Sequence, residues 1–541
     1  NIQLTGNASN NMLAIDQLTA TAGENNLQAS GRLNNPLEEN GDFSADMDAN
    51  VNLATISQFY DIAQFDIEQM GGQLVIDGQA RGNRNNPEQA TFDALFNLSN
   101  GNLKYAGVSK AIENITIDAN ATQQAIQINN MELQAAANTF AMNGTINSPL
   151  DESQRSVNLQ TNLDFDLATI KEFYPIDEDT LSMRGQLSAR AILNGKADQI
   201  ERAVQSGQIT LRNGYISHQS LGKPIEDLTF ESSLDGPTLS ISKASFRTGE
   251  NNLSASGNIT DYLSDGRSLD LKINGEAALS EIPNYYDLAP TITTLTGQAD
   301  MSLRARGPVE DPANMSFDGQ LNVQGVNMEG EGMVQPVSNL NGKLSLSPDA
   351  ASLESLSFDI GSSDITLSGA LSDYMAYLKA EDDRQVTPEL TGNYRSQMLN
   401  MDELINWEDT TTTPIPIYLP DLNSALTAEI DTMIITDVTM QNLRAEAGTT
   451  PQQIKLNKAS VNLFDGEATG SFTWDVPRPD RTMISFNGSL DSLQAEAFFG
   501  AYPILGEKSK FHEYVSGAFS AEVDYYSELN EYLEPLINTS T

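Results

Sequence analysis

The sequence has no cysteine and only two histidines, His218 and His512, in 541 residues. Without thiols there is no disulfide, no thiolate zinc site and no cysteine nucleophile. Two imidazoles leave almost no room for His-based triads or multi-His metal centres. Basic residues are also scarce: 30 Lys+Arg stand against 74 Asp+Glu, a formal net charge of −44. Such a chain does not suit nucleic acid, whose phosphates need a basic counterpart, and it opposes broad adsorption on anionic lipid. No run reaches the roughly 18 apolar residues that cross a bilayer as a helix. The chain opens at Asn1 inside an alternating pattern and stops at Thr541 in a polar run, and it reads as an internal fragment of a longer protein.

What is present is a repeat. ENNLQASG (24–31) returns as ENNLSASG (250–257), with weaker copies NTFAMNG (138–144) and SDITLSG (363–369). The closing glycines Gly31, Gly144, Gly257 and Gly369 are spaced by 113, 113 and 112 residues. A second marker has the same period: Gly72, Gly185 and Gly297, each followed ten residues later by Gly82, Gly195 and Gly307. A third is an apolar-x-Asn/Asp-apolar step at Ile112–Ile115, Ile225–Leu228 and Val337–Leu340. A shared period of this length signifies a repeat architecture. The units are a partial one (1–68), three full ones (69–181, 182–293 and 294–411) and a divergent C-terminal region (412–541). Thr and Pro clusters make TTTTPIPIYLPDL (410–422) the expected joint before the last. Each unit ends in apolar residues at three- to four-residue spacing (53–60, 167–175, 279–286, echoed at 399–405), which predicts short helices.

Inside a unit the alternation has period two, the mark of strands with one apolar face. Leu74 and Ile76, Phe140 and Met142, Leu187 and Leu193, Leu253 with Ala255, Met301 and Leu303, and Ile365 and Leu367 all fall on the apolar register. Asn-Gly at 100–101, 143–144, 194–195 and 213–214 and Asp-Gly at 77–78 and 235–236 read as hairpin turns. That predicts an antiparallel meander of roughly eight to ten strands per unit, about forty in all. Helical segments are too few to pave one face of so many strands. The expected fold is therefore mainly β: a long, twisted, mostly antiparallel repeat sheet curled into an open apolar groove, with short helices between repeat units.

The strand cadence GQITLRNGYIS (207–217), followed by KPIEDLTFESSLDGPTLSISKASFRTGENNLSASGNIT (223–260), resembles the AsmA family of bacterial envelope proteins, which includes the longer TamB and YhdP. FHEYVSGAFSAEVDYYSELNEYLEPLINTST (511–541) resembles the region before that family's C-terminal part. The resemblance covers essentially the whole chain and rests on apolar-and-glycine patterns. It implies a repeating β-groove, a periplasmic position with an inner-membrane anchor, and phospholipid carried toward the outer membrane. Both membranes would be met through segments outside this sequence. On that reading the alternating apolar residues named above line the groove and touch acyl chains, and no catalytic residue, metal or cofactor is expected.

Other signals admit plainer readings. His218 decorates a strand face. Asp46/Asp48 and Asp164/Asp166 lie at i, i+2 and could hold calcium, but the spaced loop of a dedicated calcium site is missing, so solvation of a strand face is the expectation. The acidic pairs come without the aromatic cleft of a glycosidase. Asn-x-Ser/Thr at Asn7, Asn97, Asn114 and Asn143 is chance in an Asn-rich chain. The competing function class is a structural or adhesive β-repeat scaffold of the envelope with a closed core and no lipid cargo.

Overall fold

The computed structural model describes residues 1–541 except 39–40, 174–180, 290, 332, 379–385, 405–418, 420, 479–480, 502–510, 531–535 and 537–541. The chain is mainly β, 70% strand and 10% helix. Its described residues form 28 strands of mostly antiparallel sheet, not closed into a barrel. They divide into two compact units, one of Asn1–Gly249 with Ser254–Ser268, the other of Glu250–Leu253 with Leu269–Thr541.

In the first unit, from the strand Ile2–Ala8 to the strand Thr238–Thr248, each strand pairs antiparallel with the next along the chain. In the second, the same holds from Thr294–Pro308 to Ala518–Leu529, with one exception. Glu389–Asn400 and Asn423–Ile435 run parallel. Parallel neighbours cannot be joined by a hairpin and need a crossing connection. The expected joint at 410–422 falls on this connection, though 405–418 and 420 lie outside the described residues.

The strands are longer and fewer than the turn signals suggested. Between the short helices Ile62–Phe65 and Leu167–Thr169 lie six strands, and six more precede Leu279–Asn284. A further six precede the helix Met401–Leu404. The reason is local. Asn100-Gly101 sits inside the strand Asn86–Tyr105 and Asn213-Gly214 inside Val204–His218, each at a register shift against the following strand. Asn100 and Asn213 take φ of 50° and 53°, so the positive-φ residue makes a bulge rather than a turn. The pairs at 77–78, 143–144 and 194–195 are also inside strands; only Asp235-Gly236 turns a hairpin. The apolar-x-Asn/Asp-apolar step has the same cause, since Asn114, Asp227 and Asn339 hold φ of 50°, 52° and 54°. Asn and Asp tolerate that region better than other side chains.

The expected short helices are there, each a turn or so long: Leu53–Gln58, Leu167–Thr169 running into Ile170–Phe173, Leu279–Asn284 and Met401–Leu404. A recurrent side-chain clasp holds them. Asn138, 4% exposed, donates from Nδ2 to Thr169 Oγ1 at 2.7 Å and accepts at Oδ1 from the Asp166 amide at 2.7 Å. One period earlier Asn25 makes the same two bonds, to Thr55 Oγ1 and the Asn52 amide, both 2.6 Å. One period later Asn251 accepts from the Ala278 amide at 2.8 Å and donates to buried Glu281 at 3.1 Å. At the fourth copy Ser363 Oγ accepts from the Asn400 amide at 2.9 Å. The marker glycine Gly144 is required by closeness and backbone alike. Its φ is 131°, and a Cβ there would lie 2.1 Å from the Asn158 carbonyl oxygen.

Candidate functional site

Residues directly opposite one another across a ladder point to the same side of the sheet. The registers therefore trace one face from strand to strand. In the first unit the rung Ile2–Ala20–Leu27–Ala49–Ile76–Phe96–Ala119–Ile128–Gly144–Leu159–Leu193–Val204 is apolar or glycine throughout. Parallel rungs put Leu74 beside Leu98, Met142 beside Met131 and Thr161, Phe140 beside Leu133 and Leu163, and Leu187 beside Phe165 and Leu211 on this face. The second unit repeats the pattern in Met301–Leu321–Leu344–Leu353–Gly369–Gly392–Leu426–Ala447–Leu456–Phe472–Phe486–Tyr525. Leu303 stands opposite Gly319, Leu367 between Leu356 and Tyr394, and Ile365 opposite Phe358. A methyl placed on Gly275 would lie 3.1 Å from Leu253 Cδ1 and 3.7 Å from Met301 Cε, so these two flank one gap.

Exposure along this face is that of a sheet side with little above it. Most of these side chains are half-buried. Among the described residues the fully buried hydrophobics are mainly alanine with some Val, Leu and Ile, and none is Phe, Tyr, Trp or Met. A core closed by a second layer buries its large side chains first. The element pairs in extensive contact are ladder neighbours and the short helices at strand ends. Towards the first strand the face is open, with Ile2 75% and Leu4 63% exposed. It is tightest where Ile128, Val157, Leu159 and Ala203 meet beside the helical turn Ala197–Arg202. Met142 and Leu193 pack against that cluster, so they brace the sheet as well as line it.

Two polar groups sit on the apolar side. Burial pushes the Tyr394 phenol up from its ordinary value, the response of an ionisable group to a poorly hydrated site. The indole of Trp474, on the rung Ile454–Trp474–Ile484, has its N–H buried without a hydrogen-bond partner among the described residues. Neither was singled out by the sequence reading, because alternation places a residue on a face without revealing its hydration.

Charge is confined to the other face. Arg304 forks onto Asp270 at 2.6 and 2.7 Å, Lys343 meets Glu354 at 2.6 Å, and Arg395 meets Glu429 at 3.2 Å. The Arg304 guanidinium, with Arg306 nearby, holds the Asp270 carboxyl below its usual range. Asp164 accepts from Ser188 Oγ at 2.5 Å and Asp166 caps the Ala168 amide at 3.0 Å, so this pair is engaged within the fold. Asp48 stands opposite Asp77. Among the described residues no group of three or more acidic or imidazole side chains is arranged to hold a metal ion. His218 Nδ1 accepts from the Ser220 amide at 3.1 Å, a local turn contact. Depressions on this side are open and polar, one lined by Asp46, Asp48, Asp77 and Asp93, another by Glu132, Asn162, Arg190 and Gln208. They offer no grip on an apolar ligand. No family model matches the chain, and searches of curated proteins and of solved structures find no match.

Proposed function

We propose that the apolar face is the floor of a hydrophobic β-groove that shelters phospholipid acyl chains, and that the chain is part of a bridge along which lipid passes between inner and outer membranes. The reading places it in the periplasm, in a longer protein held at the inner membrane, as the AsmA-like cadence implies. One observation carries it: rungs of apolar residues run unbroken across a dozen consecutive strands in each unit, with the large side chains half-buried and not sealed.

The energetics favour such a device. Exposing a two-tailed lipid to water sets about 30 methylenes in solvent at about 0.8 kcal/mol each, on the order of 25 kcal/mol. That cost forbids free passage between membranes. Apolar attraction is non-directional, so a lining of near-equivalent Leu, Ile, Val, Met and Phe supports sliding without a fixed binding site. An unsealed apolar surface of this extent is otherwise an aggregation hazard.

The purified chain, extracted with organic solvent, is expected to yield host phospholipid. Phospholipids brominated on their acyl chains should quench Trp474 fluorescence in a Trp407→Phe background, while head-group-labelled lipid should not. Absence of retained lipid together with absence of quenching would leave the scaffold reading in its place.

A further inference from the structure

The strand Ile2–Ala8 is the edge of the first unit, paired through Met12–Ala22 and by no other described strand. It contains neither a charged residue nor proline, the usual guards of an exposed edge. The repeat period identifies what an edge of this kind meets elsewhere in the molecule. Gly6 corresponds to Ala119, Ser232 and Leu344, and the register shift at Thr5/Gly6 recurs at Asp118/Ala119, Glu231/Ser232 and Lys343/Leu344. In those three copies the strand is covered on its other side by Asn86–Tyr105, Val204–His218 and Ser316–Glu329 respectively. The shift therefore does not block pairing. Each covering strand brings a bulge to the position of Ile2: Gly101 opposite Ile115, Gly214 opposite Leu228 and Val326 opposite Leu340. Covered, those three apolar residues are half-buried, whereas Ile2 is 75% exposed.

We propose that the edge Ile2–Ala8 is a docking edge for one more antiparallel strand of the repeat's own chemistry: polar and apolar residues alternating, Phe or Leu on the apolar register, and a positive-φ bulge opposite Ile2. Main-chain hydrogen bonds supply the attraction and the alternating side chains the register. This surface is independent of the acyl-chain reading and stands or falls without it.

A synthetic peptide of residues 90–105 is the probe, because it covers the equivalent edge inside the molecule. It should seat Leu98 opposite Leu4, Phe96 opposite Gly6 and Gly101 opposite Ile2. At saturating peptide, hydrogen exchange of residues 2–8 in the full chain should slow by about tenfold or more, which corresponds to about 1.4 kcal/mol. Leu4→Pro and Leu4→Lys should each abolish that protection while exchange beyond Leu27 stays as in the parent, which separates lost docking from lost folding. A peptide carrying Phe96→Asp and Leu98→Asp should give none. Absence of protection with the parent peptide, equal protection by the Asp peptide, or protection confined to another strand such as Ala518–Leu529 would each overturn the assignment.

Discussion

The asparagine clasp offers the sharpest test of how the repeat holds together. In Asn138→Ala both side-chain bonds vanish at a site only 4% exposed. Thr169 keeps its own bond to the Asp166 carbonyl, 2.7 Å long, so losing the Asn138 donor costs it about the ordinary 0.5–1.5 kcal/mol. The Asp166 amide is left without its acceptor in a half-buried position, a penalty of about 1–3 kcal/mol. The sum is about 2–4 kcal/mol, mostly from the amide. Denaturant unfolding of the full chain should register that loss, and the Asp166 amide should exchange faster by a factor of about 30 or more, the equivalent of 2 kcal/mol. Thr169→Val should cost distinctly less, and the double variant less than the two singles combined, since the pair shares a bond. Asn143→Ala, an exposed position just before the marker glycine, should stay within about 0.5 kcal/mol. An Asn138→Ala effect as small as that of Asn143→Ala, or a Thr169→Val effect as large as that of Asn138→Ala, would refute the reasoning.

Other outcomes follow from the same geometry. Gly144→Ala should cost on the order of 2–4 kcal/mol, because its Cβ collides with backbone; Gly23→Ala, at φ 60° with nothing within 4 Å, should cost about 1–2 kcal/mol, measured by the same unfolding curves. Leu303→Arg should remove co-purifying lipid, whereas Ser302→Arg on the opposite face should not; equal lipid content in both would count against the acyl-chain lining. The Asp270 carboxyl is held below its ordinary value, so its contribution is present above about pH 4 and lost as pH falls through the lowered value. Melting of the Asp270→Asn variant should accordingly vary less with pH below about 4 than melting of the parent.

The alternation of apolar and polar residues by itself determined which side of each strand is greasy, because side chains in extended backbone alternate whatever the neighbours do. Leu74 and Ile76, or Met301 and Leu303, could be assigned to a common face before any pairing was known. The 113-residue recurrence likewise predicted recurring blocks punctuated by short helices. Other features depend on which strand lies alongside. Asn-Gly adopts positive φ in a hairpin and in a bulge alike, so only the register of the next strand decides that Asn100 and Asn213 bulge and that a block has six long strands instead of eight to ten short ones. Asn25, Asn138 and Asn251 stood in the repeated motif as ordinary polar residues. Their role as clasps arises because folding brings residues about 30 positions apart within 3 Å and removes the water that would otherwise satisfy them. The parallel pair at Glu389–Asn400 and Asn423–Ile435 and the bare edge at Ile2–Ala8 are of the same kind. Local chemistry sets a strand's faces, while the partner at its edge is settled by tertiary hydrogen bonding.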